Sequence, residues 1–235
     1  MPNLYVFDKD GTLVHPRKDG YVESPEDQIL YEGVREKLDR LRSEGHALVI
    51  ASNQGGCDFT AIPCYCLKPG HLFKLCPPGF GYDFDMIFKV LSTTIKDDLI
   101  DIETENATFT TFKKDVNMVK VQHKTIEGAI AEMQFAADLC GIEDAIFCPA
   151  MDGHNAIAMM KSHSEWFSDE VDSTVLERCG NFRKPGMGML KFAEIYLSSG
   201  VQYDSGIMIG DRDSDRESAI AAGFEFVWAE DWRNG

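Results

Sequence analysis

Short apolar runs alternate with amphipathic stretches along most of the chain. "LYVF" at 4–7 and "ALVIAS" at 47–52 are short and continuously apolar, which is typical of strands buried on both faces of a sheet. Between them, "EGVREKLDRLRSEGH" carries Val34, Leu38 and Leu41 at helical spacing and reaches a glycine, a common helix terminator. The chain is therefore predicted to begin as strand, helix and strand.

The same alternation returns in the second half of the chain. "DAIFC", "SGIMIGD" and "FEFVWA" predict strands, and "KTIEGAIAEMQFAADLCG", "GMGMLKFAEIYLSSG" and "DSDRESAIAAG" predict helices. Strands that alternate with helices predict an α/β fold, a Rossmann-like parallel sheet with helices on both faces. The stretch 149–182 has weak periodicity and is predicted to be irregular.

Residues 57–121 interrupt this pattern directly after the second predicted strand. We therefore predict a core made of 1–56 and 122–235, with 57–121 as an insertion. The front of the insertion, 57–80, is rich in cysteine, proline and glycine. Its back, 81–121, alternates in "ATFTTF" and "VNMVKV", which predicts a small antiparallel piece for which a lid is one candidate role.

Composition and charge narrow the classes of function. The chain has 235 residues, of which 44% are apolar, and it has no apolar stretch long enough to span a membrane. Its N-terminus lacks the basic and apolar regions of a secretion signal, so we expect a cytoplasmic protein. The net charge of −16 argues against coating nucleic acid by bulk electrostatics, so an anionic ligand needs a local site.

Acidic residues follow two of the predicted strands. The first strand runs into "FDKDGT", with Asp8 and Asp10, and a later one into "GDRDSD", with Asp211 and Asp215. Ligands of open α/β sheets bind at the carboxyl ends of strands, where so many carboxylates favour a hard cation such as Mg²⁺. Asp8 could then attack phosphorus to form an aspartyl-phosphate, while Asp10 protonates the leaving oxygen and later activates water.

Two further polar segments complete this edge. Ser52 ends the second strand in "SNQGG", and Lys184 precedes a helix in "FRKPG"; both could hold phosphoryl oxygens. Each segment alone has an ordinary explanation, such as a turn at Asp-Gly, a helix cap at Ser-Asn or a solvated lysine. Their joint occurrence, in order and at strand ends or helix starts, favours a phosphoryl-transfer site.

These four segments resemble the motifs of the haloacid dehalogenase superfamily of phosphatases. "FDKDGTLV" is similar to motif one, "SNQGG" to motif two, "RKP" to motif three and "GDRDSD" to motif four, and the resemblance covers 3–56 and about 122–232. Within the superfamily the chain is similar to the branch of histidinol-phosphate, heptose-bisphosphate and polynucleotide 3′-phosphatases. "AAGFEFVWAEDW" and "HKTIEGAIAEMQ" are more similar to the last group.

The resemblance implies a role for each matched residue. Asp8 would be the nucleophile and Asp10 the general acid and base, with Ser52 and Lys184 holding the phosphoryl group. The Mg²⁺ ligands would be Asp8, the main-chain carbonyl of Asp10, and Asp211, with Asp215 as an inner or outer ligand. The resemblance also implies that four residues bind substrate: Thr12, Asn53, Arg183 and Arg212. Thr12 would in addition help to shape the loop after the first strand.

A cysteine cluster occupies the front of the insertion. In a cytosolic chain such a cluster predicts metal binding before disulfides. Cys64-x-Cys66-x4-His71-x4-Cys76 offers three thiolates and one imidazole, a tetrahedral set for a structural Zn²⁺. The spacing resembles the retroviral-type zinc knuckle with one residue missing between the first two cysteines, so Cys57 could replace Cys64. Free thiols in a loop are the alternative.

Zinc knuckles of this type hold single-stranded nucleic acid on exposed rings beside basic residues. Tyr65 and Phe73 are the candidate stacking groups, and Lys68 and Lys74 are the candidate phosphate contacts. Residues 57–80 carry these two lysines against one aspartate, a local change of sign in an acidic protein. The alternative is that the two rings only pack the zinc loop.

The sequence thus predicts a Mg²⁺-dependent phosphomonoesterase that removes 3′-phosphates from nucleic-acid ends, as in DNA repair. The alternative is a phosphatase of small metabolites, such as a sugar phosphate or histidinol phosphate, with a purely structural zinc loop. No Gly-x4-Gly-Lys-Ser/Thr loop occurs in the chain, so we do not expect a 5′-kinase activity in the same polypeptide. A separate kinase or ligase is a candidate partner.

Overall fold

A computed structural model describes residues 2–18, 20, 22, 24–57, 60–63, 67–74, 87–96, 99–112, 118–122, 124–197 and 203–235. The chain divides into two compact units, the core unit (Met1–Gly55 and Glu127–Gly235) and the inserted unit (Gly56–Ile126). The predicted insertion lies within the inserted unit. None of the helices in the described part of the chain has the length and apolar character that a membrane crossing requires.

The described residues form fifteen strands and six α-helices. The strands are β1 (Leu4–Phe7), β2 (Val14–Pro16), β3 (Gln28–Leu30), β4 (Ala47–Asn53), β5 (Thr60–Pro63), β6 (Leu72–Lys74), β7 (Ile87–Lys96), β8 (Leu99–Thr104), β9 (Thr108–Phe112), β10 (Met118–Gln122), β11 (Asp144–Cys148), β12 (Ile157–Ser162), β13 (Glu165–Glu170), β14 (Gly206–Gly210) and β15 (Glu225–Trp228). The helices are α1 (Val34–Ser43), α2 (Ile126–Cys140), α3 (Ser173–Cys179), α4 (Gly188–Phe192), α5 (Asp213–Ala222) and α6 (Ala229–Asn234).

Shorter helical turns join or extend these elements. Two 3-10 turns occupy Pro25–Asp27 and Gly55–Cys57. A π-helical turn at Ala193–Leu197 continues α4, so the helix predicted from "GMGMLKFAEIYLSSG" is formed in two parts over 188–197.

A seven-stranded sheet in the order β13-β12-β11-β4-β1-β14-β15 forms the centre of the core unit. The five strands from β11 to β15 in this order are parallel, as predicted. β1 lies between β4 and β14, with Leu4 opposite Ala47 on one side and Gly206 on the other. The residues that follow β1 therefore leave the middle of the sheet edge, where parallel α/β sheets place their sites.

Both faces of this sheet are covered by helices, which confirms the predicted fold class. On one face Val6, Val49 and Met208 pack in a single buried cluster with Met189 of α4 and Ala219 of α5. On the other face the Phe7 ring meets Trp232 of α6 edge-on at 5.2 Å between ring centroids. Successive residues of a strand point to opposite faces, so burial on both faces explains the continuously apolar runs in the sequence.

The prediction of an irregular segment over 149–182 is wrong. β12 and β13 form an antiparallel hairpin that extends the sheet beyond β11, and α3 follows it. β13 is the edge strand and most of its side chains are exposed, so no buried face imposes an alternating pattern on its sequence. A parallel sheet with an antiparallel edge is a common arrangement.

The inserted unit contains a six-stranded sheet in the order β5-β10-β6-β7-β8-β9. Each pair of neighbours is antiparallel, in keeping with the antiparallel piece predicted from the alternation at its back. Leu67, Val90, Ile100 and Ile102 form a small buried cluster, and the Phe88 and Phe109 rings pack against it.

Candidate active site

Asp8 leaves the middle of the core sheet directly after β1. Its backbone N–H donates to the carbonyl of Ile209 in β14 at 2.9 Å, which carries the strand pairing one residue past β1. The residue is only 7% exposed. Asp8 is therefore a nearly buried carboxylate held by rigid backbone at the carboxyl edge of the sheet.

Lys184 brings the separate motifs together. Its Nζ lies 2.5 Å from Asp8 Oδ1 and 2.7 Å from Asp215 Oδ1, and it also donates to the carbonyl of Ala51 at 3.0 Å. All three charged side chains are buried. Buried charges are tolerated when they are paired, and loss of one partner leaves the others uncompensated. The Lys184 ammonium group thus joins its own motif, motif three, to Asp8 of motif one and Asp215 of motif four.

Asn53 fixes the backbone that carries Lys184. Its Oδ1 accepts from Lys184 N and its Nδ2 donates to Lys184 O, both at 3.0 Å. This two-way bond joins the end of β4 to the loop before α4 across a long sequence separation. Asn53 was predicted to bind substrate; the structure places it as a support for the lysine.

Carboxylates outnumber cations around Lys184, and burial disfavours their charged forms. Burial raises the pKa of the Asp8 carboxyl from 3.8 to about 7, because the attraction of Lys184 only partly offsets desolvation, and Asp215 and Asp10 add further negative charge. Burial acts to lower the pKa of Lys184, but its attraction to Asp8 and Asp215 is stronger and raises that pKa. Burial likewise raises the pKa of Asp211.

One group of potential metal ligands occurs among the described residues, and it lies here. Asp8, Asp211 and Asp215 each place a carboxylate oxygen within 4.8 Å of the others. Oxygen donors suit a hard cation such as Mg²⁺. Burial is the main cause of the raised pKa of Asp8, and repulsion from Asp215 and Asp10 adds to it; a bound divalent cation would favour the charged carboxylates. The residues present therefore fit the predicted Mg²⁺ site.

Gly11 allows the loop after β1 to approach Asp211. Its φ of +83° lies in the left-handed region that favours glycine. A Cβ at this position would overlap the Asp211 carboxylate. The glycine of "DKDGT" is thus required both for the shape of the loop and for the space that Asp211 occupies.

Asp10 is held by two residues that the sequence analysis missed. Lys9 Nζ lies 2.8 Å from Asp10 Oδ1, and Gln54 Nε2 donates to Asp10 Oδ2 at 3.2 Å. The same Gln54 Nε2 donates to Ser52 Oγ at 2.9 Å. The predicted general acid and the predicted phosphate-binding hydroxyl are therefore joined through one amide.

Both missed residues carried a signal in the sequence. Lys9 stands between the two acids of motif one, and it is fully buried, with Nζ also bonded to Gln28 Oε1 at 3.0 Å. Gln54 stands two residues after Ser52, a spacing that keeps side chains on one side of an extended chain. Because a buried cation needs a partner of opposite charge, the position of Lys9 between two acids could have predicted its ion pair with Asp10.

The three other residues predicted to bind substrate in the core unit differ in how deeply they are buried. Thr12 is fully buried, which fits shaping of the loop rather than contact with substrate. The Arg183 guanidinium lies beside Gly55, and its Nη1 is buried without a hydrogen-bond partner among the described residues. Arg212 is exposed, and its backbone N–H donates to Asp215 Oδ2 at 3.1 Å.

The candidate zinc and nucleic-acid residues belong to the inserted unit. Cys64, Tyr65, Cys66 and Cys76 lie outside the described residues. His71 Nδ1 accepts from the backbone N–H of Lys68 at 3.2 Å, and Lys68 is exposed. Phe73 and Lys74 lie in β6, opposite Phe88 and Ile87 of β7. Cys57, the alternative ligand, is buried and donates from Sγ to the carbonyl of Thr125.

Comparison with known proteins gives one family model that matches part of the chain and one similar solved structure. The sequence model of the family described as polynucleotide kinase 3 phosphatase matches residues 3–67. Among solved structures, the chain is similar to a D,D-heptose 1,7-bisphosphate phosphatase from B. bronchiseptica complexed with magnesium and phosphate. That similarity has 18% identity and a TM-score of 0.46, and it covers 96% of this chain and 79% of the other. Comparison with curated proteins gives no match.

The matched segment and the geometry agree on the class of reaction. Residues 3–67 contain Asp8, Asp10 and Ser52, and Lys184 and Asp215 reach the same centre from outside that segment. We conclude that the chain is a phosphatase, a hydrolase of phosphoric monoesters.

Proposed function

We propose that this phosphatase is a Mg²⁺-dependent enzyme that uses an aspartyl-phosphate on Asp8 and acts on the 3′-phosphates of nucleic-acid ends. The observation that carries the chemical part is the contact of Asp8 with Lys184, in a group that also includes Asp215, at the carboxyl edge of the sheet. The substrate class is supported by the family match over 3–67 and by the knuckle-like spacing of cysteines and histidine in the inserted unit.

In the first step, an Asp8 carboxylate oxygen attacks phosphorus and the bond from phosphorus to the ester oxygen breaks. Asp10 donates a proton to the departing oxygen, which leaves as an alcohol. Lys184, with Ser52 Oγ, binds the phosphoryl oxygens as negative charge develops on them. Mg²⁺, when bound by Asp8, Asp211 and Asp215, supplies positive charge that offsets the repulsion of these carboxylates and of the phosphate.

In the second step, Asp10 takes a proton from water, whose oxygen attacks the phosphorus of the aspartyl-phosphate. Inorganic phosphate leaves and the Asp8 carboxylate is restored. Lys9 and Gln54 hold the two Asp10 oxygens, so the same carboxylate is in place for both proton transfers.

The substrate part of the proposal is tested by phosphate release from a set of substrates. With Mg²⁺, oligonucleotides that end in a 3′-phosphate are compared with 5′-phosphate ends, a sugar phosphate and histidinol phosphate. Asp8→Asn, a nearly isosteric variant that cannot act as nucleophile, serves as the blank. Preference for the 3′-phosphate end is the expected result, with single-stranded ends preferred over duplex ends.

Preference for the sugar phosphate or for histidinol phosphate would overturn the nucleic-acid assignment and leave the phosphatase chemistry intact. The net charge of −16 is the feature that favours such small substrates. We also propose a kinase or a ligase that acts on the same nucleic-acid ends as a partner of this phosphatase.

A further inference from the structure

Arg233 of α6 reaches the loop that carries the candidate catalytic acids. Its Nη1 donates to the carbonyl of Gly11 at 2.8 Å and to the carbonyl of Thr12 at 2.9 Å. These are charge-assisted hydrogen bonds, which are stronger than bonds between neutral groups. A side chain that is far away in sequence thus holds two successive peptide groups of motif one.

The guanidinium is itself held in place. It stacks over the Tyr31 ring at 4.1 Å from the ring centroid, and the arginine is half-buried. The neighbouring Trp232 anchors α6, since its ring packs on Phe7 and its carbonyl accepts from Lys37 Nζ at 2.9 Å. The position of Arg233 is therefore set by packing, and a rigid donor can fix a loop that it bonds.

The loop also has hydrogen bonds of its own, which Arg233 supplements. Gly11 N donates to Val14 O at 2.9 Å, and Leu13 N and Val14 N both donate to Lys9 O. These bonds use N–H groups, whereas Arg233 binds the carbonyls of Gly11 and Thr12. The N–H groups of the loop therefore bond within the loop, and the carbonyls of Gly11 and Thr12 accept from Arg233, which lies outside it.

The position of this loop matters for the metal ligands. Gly11 leaves no room for a Cβ against the Asp211 carboxylate, so a shift of the loop changes the space around Asp211. We propose that Arg233 is a positioning residue that holds motif one against Asp211 and thereby sets both the Mg²⁺ affinity and the placement of Asp8 and Asp10. This inference rests on the proposed function for its kinetic and Mg²⁺-binding parts, whereas hydrogen exchange tests the position of the loop independently.

Arg233→Ala tests the proposal, with Lys37→Ala as the matched control. The control removes a basic side chain that also anchors α6 but does not touch the loop. We expect Arg233→Ala to lower kcat about 10- to 100-fold, since a small misplacement of reacting groups can have effects of this size. It should also weaken Mg²⁺ binding in calorimetry and speed amide hydrogen exchange at Gly11, Leu13 and Val14. Lys37→Ala loosens one anchor of α6 but keeps both hydrogen bonds from Arg233 to the loop, so its effects on kcat, Mg²⁺ binding and exchange should be much smaller than those of Arg233→Ala.

Chemical rescue separates positioning from general stability. Arg233 lines a cavity of about 520 Å³ together with Tyr31 and Trp228, so a small cation can reach the space that the alanine leaves. Guanidinium chloride at low millimolar concentration should restore part of the kcat of Arg233→Ala, and ammonium chloride at the same concentration should not. A loss caused by unfolding would not be restored by guanidinium at this concentration, which is far too low to change stability.

Unchanged kcat, Mg²⁺ affinity and loop exchange in a folded Arg233→Ala would overturn the inference and make Arg233 an anchor of α6 only. If that variant does not fold, Tyr31→Leu replaces it; it keeps the two hydrogen bonds but removes the ring, and smaller changes of the same kind are expected. An inactive wild type, or an active Asp8→Asn, would instead refute the proposed function, while hydrogen exchange would still decide the role of Arg233.

Discussion

At the scale of single residues, the chemical properties of the Asp8 carboxylate depend on the charged groups around it more than on its place in a sequence motif. Lys184 contacts Asp8 and Asp215 together, and Asp211 adds a third carboxylate nearby. The order of the motifs along the chain predicted that these residues meet. It could not predict that Asn53 holds the Lys184 backbone, because that contact depends on how β4 and the loop before α4 are placed in space.

Lys9 is expected to act through Asp10. Lys9→Met keeps the length of the side chain but removes the charge that holds Asp10 Oδ1. If Asp10 protonates the leaving oxygen, the loss of kcat should be larger for an alkyl phosphate than for p-nitrophenyl phosphate, whose leaving group needs no proton. We expect at least about a tenfold difference between the two losses.

Lys161→Met is the control for this test, because Lys161 of β12 pairs with Asp138 of α2 and not with a predicted site residue. It should leave both rates unchanged. Equal losses on the two substrates in Lys9→Met would show that Lys9 supports folding without positioning the acid.

Gly11→Ala should weaken Mg²⁺ binding and lower activity. The added Cβ would overlap the Asp211 carboxylate, and φ is +83°. Gly33→Ala is a matched control, since Gly33 has a φ of +74° but no atom near its Cβ position. Both variants bear a similar backbone strain, of roughly 1–2 kcal/mol. Only Gly11→Ala should reduce Mg²⁺ affinity in calorimetry; equal affinities would show that Asp211 does not bind the ion.

Among the elements of the fold, hydrophobic pattern predicted the strands and helices that are buried. β1 and β4 are covered on both faces, so their sequences are continuously apolar over 4–7 and 47–51. β13 was missed because an exposed edge strand needs no such pattern. Gln54 and Lys9 were missed for a related reason: their importance lies in a contact with Asp10 that periodicity does not encode.

Asp144, the first residue of β11, makes the stability of the core sheet depend on pH. Burial, with a smaller contribution from Glu143, raises the pKa of its carboxyl from 3.8 to about 6. A raised pKa means that the folded state prefers the protonated acid, so the contribution is favourable below about pH 4 and is lost as the pH rises through 6. At neutral pH, the carboxylate therefore costs stability.

Asp144→Asn removes this cost. Its gain in the free energy of unfolding should grow between pH 4 and pH 7 to roughly 1–2 kcal/mol, allowing for partial exposure of the group. Denaturant titrations at several pH values measure it, with Asp169→Asn on the exposed face of β13 as the control. If the gain in stability does not change with pH, the charge of the Asp144 carboxylate is not what destabilises the folded state.

At the scale of the whole molecule, the chain joins a phosphatase core to an inserted unit with its own sheet and its own buried cluster. The composition of 57–80 separated this unit from the core at the level of sequence. Its contribution to function is a proposal about zinc and single-stranded ends, and it makes a prediction that the core alone does not.

Cys76→Ser should remove the zinc and reduce activity on a 3′-phosphorylated oligonucleotide more than on a small phosphate ester. Metal analysis of the purified variant measures the first effect, and parallel assays measure the second. Cys64→Ser and Cys57→Ser, compared in the same way, decide which of these two cysteines is a ligand. Equal losses on the two substrates would reduce the zinc loop to a support for folding.

Trapping the intermediate tests the central claim most directly. Wild-type enzyme and Asp8→Asn are mixed with Mg²⁺ and a 3′-phosphorylated oligonucleotide, quenched during turnover and treated with borohydride, which reduces an acyl phosphate to an alcohol. Mass spectrometry of the peptide that contains residue 8 should then show homoserine in the wild type and not in Asp8→Asn. Rapid release of phosphate by the wild type with an unmodified Asp8, or substantial turnover by Asp8→Asn, would contradict the account.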